Sequence, residues 1–333
     1  MKMSDLRKAA SSVFMMVAIV ALFLPVTGFA QTTATPTEVS GTFSDTISVG
    51  YVAVPFVALD DHGKPIADLQ QKDVKVLVEG KHVALDMFER VGNAPVSYTI
   101  LLDGSGSMGL SGKIEGARTA IHTLVGEQKA GDDYSLYVFA DGKVNEVVPF
   151  TSDARKIVTA VDSLRPFGTT AFFDALAVMP RKSLLGNNGS RAIILLTDGF
   201  DNASDMTREQ LARTLEGVDV PIYPLGLRVP GAPEGSTIHL STDALQDLDI
   251  LQEIAKTSGG RLSIVIEPKE LQQAILAMEK DLRSQYLVGF QPTGRGNVRF
   301  RTLSLQLPKR ARSVHVRAGY HGTEPPLKVA RGR

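Results

Sequence analysis

The chain has 333 residues, 43% of them hydrophobic, with acidic and basic side chains in equal number and no cysteine. That length allows one large domain or two modest ones with an ample core. The neutral balance argues against a nucleic-acid surface, and the lack of cysteine excludes disulfides, thiol nucleophiles and thiolate metal sites.

At the N-terminus, Lys2, Arg7 and Lys8 precede an apolar run over 13–24. Pro25 and Gly28 end that run, and Gly28 and Ala30 are small residues in the positions before Gln31. The pattern predicts a secretory signal peptide over 1–30. An uncleaved membrane anchor is disfavoured, because a span needs roughly 20 apolar residues. No later stretch is apolar enough to cross a bilayer. The expected mature protein is exported, periplasmic or extracellular, and slightly acidic. Residues 31–45 are polar and Thr-rich, which predicts a flexible leader.

Residues 46–93 read as β structure. Strands are predicted over 51–59, 74–78 and 82–90, with turns at 60–65 and 79–81. From 94 to 285 strands and helices alternate. Strands are expected at 97–102, 134–140, 144–149, 192–197, 222–227 and 262–266. Helices are expected near 112–128, 153–163, 171–182, 207–217, 245–258 and 268–284, with Ile114, Ala117, Ile121 and Leu124 at helical spacing in the first. This alternation predicts an α/β fold: a doubly wound, mostly parallel sheet with helices on both faces. The strands at 134–140 and 144–149, joined by Asp141-Gly142-Lys143, read as a hairpin with an antiparallel edge strand. Strands return at 286–291, 298–307 and 313–318. The strands before and after the α/β part are each too few to be stable alone. They are expected to combine into one small β-rich subdomain, with 286–322 packing on 46–93. Residues 323–333 form a basic, Pro-containing tail, expected to be disordered.

The chemistry gathers around one stretch. The apolar run Ile100, Leu101, Leu102 leads into Asp103, Ser105 and Ser107, with glycines between them. The run reads as a buried strand, and Gly104 and Gly106 are expected to let the chain turn tightly. A carboxylate and two hydroxyls converging on one point suit a hard divalent cation. In an open α/β sheet, ligands sit at the carboxyl ends of the strands. Two further segments end there with oxygen donors: Gly168-Thr169-Thr170-Ala171 and Leu196-Thr197-Asp198-Gly199. Asp103 and Asp198 would approach from neighbouring strands and repel, and a divalent cation resolves that repulsion.

Asp103-Gly104-Ser105-Gly106-Ser107, Gly168-Thr169-Thr170-Ala171 and Leu196-Thr197-Asp198-Gly199 together resemble the von Willebrand factor type A (VWA) domain. Order and spacing are similar to its metal-ion-dependent adhesion site. The resemblance implies that Ser105 and Ser107 ligate Mg²⁺ or Mn²⁺ directly. It implies the same of Thr170 in the ligand-competent state, with Asp103 and Asp198 acting directly or through water. An open coordination position would then accept a carboxylate from a protein partner. Phe172 and Phe173 depart from the Leu-Tyr common in the family, which bears on packing more than on coordination. Ser258-Gly259-Gly260-Arg261 resembles the family's stretch before its last strand. The flanks resemble exported bacterial VWA-related proteins of the kind common in Acidobacteria.

Enzymatic patterns are near misses. Ser105-x-Ser107-x-Gly109 lacks the first glycine of a nucleophile elbow. Gly112-Lys113 lacks the earlier P-loop glycine, and Ile114 replaces the required Ser/Thr. A haloacid-dehalogenase-type loop needs an Asp where Ser105 stands. The six histidines are scattered, and none lies in the three site loops. The expected protein is a non-enzymatic binding module. A metal-dependent hydrolase and a structural envelope protein with a purely stabilising metal are the alternatives. Asp174 reads as a structural hydrogen-bond partner, and Asp201 as a cap of the following loop. No nucleic-acid partner is expected, and the oligomeric state is left open.

Overall fold

The computed structural model describes residues 51–92, 94–199, 201–227, 242–265, 268–292 and 299–322. The predicted signal peptide at 1–30, leader at 31–45 and tail at 323–333 lie outside these residues. Strand β1 (Val52–Leu59) is followed by β2 (Lys75–Val78), β3 (Lys81–Val83) and β4 (Met87–Arg90). Glu79 and Gly80 join β2 to β3 as a two-residue turn, both with positive φ, at 50° and 75°. That is the mirror-type turn whose twist matches a hairpin.

The strand predicted over 82–90 is in fact two strands. β3 pairs with β2, whereas β4 pairs with a strand from the far end of the chain. Between them the Asp86 N–H donates to the Gly289 carbonyl at 2.9 Å, which hands the chain from one sheet to another.

The α/β part follows in the expected order. It runs β5 (Val96–Asp103), α1 (Lys113–Gly126), β6 (Asp133–Ala140), β7 (Lys143–Thr151), α2 (Ala154–Ser163) and α3 (Phe172–Ser183). It continues through β8 (Ser190–Thr197), α4 (Arg208–Leu215), β9 (Ile222–Leu227), α5 (Thr242–Ser258), β10 (Ser263–Val265) and α6 (Pro268–Leu282). The six strands form one sheet in the order β10-β9-β8-β5-β6-β7. All neighbours are parallel except β6 and β7, which form the predicted hairpin. All eight residues of β5 are buried, as befits the middle of a sheet covered on both faces. Its side chains alternate between two cores. Tyr98, Ile100 and Leu102 pack with Ile114, Ile121 and Leu124 of α1 and with Leu271 and Ile275 of α6. Leu101 faces Phe172, Leu176, Leu211 and Leu251 on the other side.

The remaining strands are β11 (Tyr286–Phe290), β12 (Phe300–Gln306), β13 (Ser313–Val316) and β14 (Gly319–His321). The flanks do combine, but as two four-stranded sheets, β13-β1-β11-β4 and β14-β12-β2-β3. One core that includes Val54, Phe56, Val76, Tyr286, Phe290 and Tyr320 serves both sheets. Among the described residues, no helix is long and apolar enough to cross a membrane.

Candidate metal centre

The register of β5 against β8 sets Leu102 opposite Leu196. Asp103 and Thr197, the next residues, therefore leave the sheet side by side at its carboxyl edge. Asp103 is fully buried. Its Oδ1 accepts the Ser105 N–H at 2.9 Å, and its Oδ2 accepts the Thr197 hydroxyl at 2.7 Å. The Thr197 Oγ1 in turn accepts the Gly199 N–H at 3.0 Å. Burial pushes the Asp103 carboxyl up to about 6. Hydrogen bonds from Ser105 and Thr197 pull it down, and the nearby Asp198 carboxylate pushes it up again.

Ser105 leads into a single 3-10 turn, Gly106–Gly109. The turn folds Ser107 back so that its hydroxyl lies 3.1 Å from that of Ser105. Gly104, expected from sequence to let the chain turn tightly, is required here by close approach. A Cβ on it would sit 2.7 Å from the Val138 Cγ1 on β6, while its N–H donates to the Phe139 carbonyl at 2.9 Å.

The loop carrying Thr170 is tied to this turn through the backbone. The Gly168 carbonyl accepts the Gly106 N–H at 3.0 Å, and the Phe167 N–H donates to the Gly104 carbonyl at 2.9 Å. Gly168 has φ 75°, and a Cβ there would meet Asp141 at 2.7 Å. Thr170 is buried, and the loop after β8 fixes it. Its N–H donates to the Asn202 Oδ1 at 2.9 Å, and its carbonyl accepts the N–H groups of Asn202 and Ala203.

Asp198 follows β8 directly and is almost fully buried. Its Oδ2 accepts the Lys113 Nζ at 2.7 Å. Asp201 and Asp174 have structural partners. Asp201 accepts from the Phe173 N–H and the Ser204 hydroxyl, and Asp174 from the N–H groups of Asp205 and Met206.

The structure thus gathers Asp103, Ser105 and Ser107 on one loop, bonds the Thr170 loop to it, and brings Asp198 alongside from the neighbouring strand. Among the described residues, no group of three or more His, Cys, Asp or Glu gathers as a metal cluster. The set here has only two carboxylates; its other donors are neutral hydroxyls. Two buried carboxylates close together, beside an all-oxygen donor set, fit a hard divalent cation and not a soft one. Three supporting residues escaped the reading from sequence: Thr197, Asn202 and Lys113. Thr197 alone left a local trace, as a polar residue ending an apolar strand. Asn202 and Lys113 reach the site only through folded loops.

Residues 98–200 match the profile of the von Willebrand factor type A domain. An uncharacterized protein of Borreliella burgdorferi is 26% identical over 208 residues, covering 56% of this chain and 59% of its own length. The chain therefore spans less than two thirds of that relative. Among solved structures, an aerotolerance-related membrane protein from Bacteroides fragilis aligns at 25% identity and TM-score 0.44, covering 56% of this chain and 98% of its own. BatB from Bacteroides thetaiotaomicron aligns at 27% identity and TM-score 0.43, covering 56% and 99%. A von Willebrand factor type A structure from Catenulispora acidiphila aligns at 15% identity and TM-score 0.47, covering 82% and 72%. The ordered α/β alternation agrees with the profile match, and residues 98–200 of this chain are similar to the von Willebrand factor type A domain family.

Proposed function

We propose that the protein is an exported binding module that captures an acidic residue of a protein partner. Asp103, Ser105, Ser107, Thr170 and Asp198 would hold Mg²⁺ or Mn²⁺ for this purpose. The observation that carries the reading is the junction of three loops at one sheet edge, where buried Asp103 and Asp198 lie close together and the Ser105 and Ser107 hydroxyls meet. A divalent cation bound there supplies an open coordination position for a carboxylate. The chain's own residues do the rest. Ser105, Ser107 and Thr170 donate no charge, so the site stays electrophilic toward an anion. Thr197 and the Ser105 N–H fix both oxygens of Asp103 in advance. The Gly106–Gly168 bond locks two loops together, so little reorganisation is needed on binding.

Binding is favoured over hydrolysis, because no histidine lies in the three loops to act as a general base. The basic-then-apolar N-terminus supports export. The test is calorimetric titration of Mg²⁺ and Mn²⁺ into the full chain, beside partner capture from envelope extract with Mg²⁺ or with EDTA. Saturable metal binding, and capture lost both in EDTA and in Asp103→Asn, is the expected result. Capture that survives EDTA would sink the mechanism.

A further inference from the structure

Lys113 stands where a lysine is unfavourable on two counts, and a left-handed turn leads into it. It is the first residue of α1, so its positive charge meets the positive end of the helix dipole. It follows Ser111 and Gly112, with φ 56° and 75°, and Ser111 is a side-chain-bearing residue in the left-handed region. Its side chain is only 18% exposed, although lysine is mostly a surface residue. One contact offsets the buried charge at the helix N-terminus: the Nζ at 2.7 Å from the Asp198 Oδ2, itself 7% exposed. The left-handed turn at 111–112 leads directly into this residue, whose ammonium lies on one carboxylate of the candidate metal centre.

We infer that Lys113 is a resident counter-charge of that centre. It weakens metal binding, and it leaves the loaded site with surplus positive charge for a single carboxylate. The inference rests on the metal-site reading above and extends it to charge balance. Asp103 and Asp198 bring two negative charges, and Lys113 cancels one. A divalent cation among them then leaves the cluster net positive by one, which one incoming carboxylate neutralises. Without Lys113 the same cation would be fully compensated by the protein, held more tightly and less attractive to an anion. The lysine thus trades metal affinity for affinity toward the partner's acid.

The test uses the full chain and the variants Lys113→Met and Lys113→Arg, with two probes. Calorimetry reads the affinity for Mn²⁺ alone. Paramagnetic relaxation of the acetate methyl protons reads carboxylate binding to the Mn²⁺-loaded protein. Lys113→Met is expected to bind Mn²⁺ about tenfold more tightly and acetate at least about threefold more weakly, while Lys113→Arg behaves as the natural chain in both. A purely structural lysine would lower the melting temperature of Lys113→Met without moving the two affinities in opposite directions. Equal Mn²⁺ binding by all three proteins overturns the role of Lys113 and leaves the metal site standing. Tighter Mn²⁺ binding with unchanged acetate binding overturns the surplus-charge inference. Absence of Mn²⁺ binding in all three overturns the metal site itself, and this inference with it.

Discussion

Asp103 is an acid held where a free carboxylate is costly. Its folded value of about 6 lies above the ordinary 3.8, so the folded state binds the proton more tightly than the unfolded chain does. The sign follows directly: without metal, stability is expected to fall as pH rises through that window, and to level off above it. Mg²⁺ should reverse the trend by favouring the charged form. Melting curves at several pH values, with Mg²⁺ and with EDTA, check this. A metal-free protein that gains stability across the window would contradict it. Asp103→Asn removes the buried charge and keeps the shape. It is expected to match or exceed the natural metal-free melting temperature while losing the Mg²⁺-induced rise, the usual exchange between stability and function. Gly104 yields a second test at this scale. Gly104→Ala places a Cβ against Val138 and is expected to cost about 1–3 kcal/mol by overpacking. Adding Val138→Ala should recover part of that loss in urea unfolding.

Among the elements, β5 carries the fold's logic at both ends. Its carboxyl end delivers Asp103 to the site. Its amino end is pinned by a buried polar network around the residue after α6. Arg283 donates to the Asp132 Oδ2 at 2.6 Å, to the Tyr98 hydroxyl at 3.1 Å and to the Ala94 carbonyl at 2.7 Å. Glu279 accepts from the Tyr98 hydroxyl and from Arg283. Burial raises the Glu279 carboxyl above the usual carboxylate range, with the Tyr98 and Arg283 contacts opposing that rise. Arg283→Met would remove the charge partner of the fully buried Asp132, leaving it the Val96 and Lys129 N–H donors, at an expected cost of about 3–5 kcal/mol. Denaturant unfolding measures it, and a loss below about 1 kcal/mol would show that water already serves these acids. The periodicity of α1 and the apolar runs of β5 and β8 made these elements legible from sequence, because burial on two faces leaves a continuous hydrophobic signature. The division of 82–90 into two strands was not legible. What ends β3 and begins β4 is a choice of pairing partner about 200 residues away.

For the molecule as a whole, the chain enters and leaves the α/β part at one place: the Val91 N–H donates to the Gln285 carbonyl at 2.8 Å. Beyond that junction, β1 lies between β11 and β13, and β2 between β12 and β3. Truncation after Leu282 would leave β1 with neither neighbour and would bare the apolar side chains of the flanking core. Such a chain is expected to aggregate, as exposed edges and apolar patches do. A fragment of 94–285 keeps the six-stranded sheet and the Arg283 anchor, and is expected to stay free of aggregates and bind Mg²⁺ as the full chain does. Size-exclusion chromatography and calorimetry on the two truncations test that division.

By itself the sequence determined the α/β alternation and the central buried strand, and it singled out the oxygen-bearing residues at 103, 105, 107, 170 and 198 as candidate ligands. Each is written locally, as periodicity or as short motifs at the ends of apolar runs. Only the tertiary structure decided that Thr197 orients Asp103, that Gly104 is glycine because Val138 lies against it, and that Lys113 turns back onto Asp198. These are contacts between segments tens of residues apart, fixed by the register of β5 with β6 and β8 and by one strained turn. No spacing within the chain encodes them, because they arise only when packing brings the loops together.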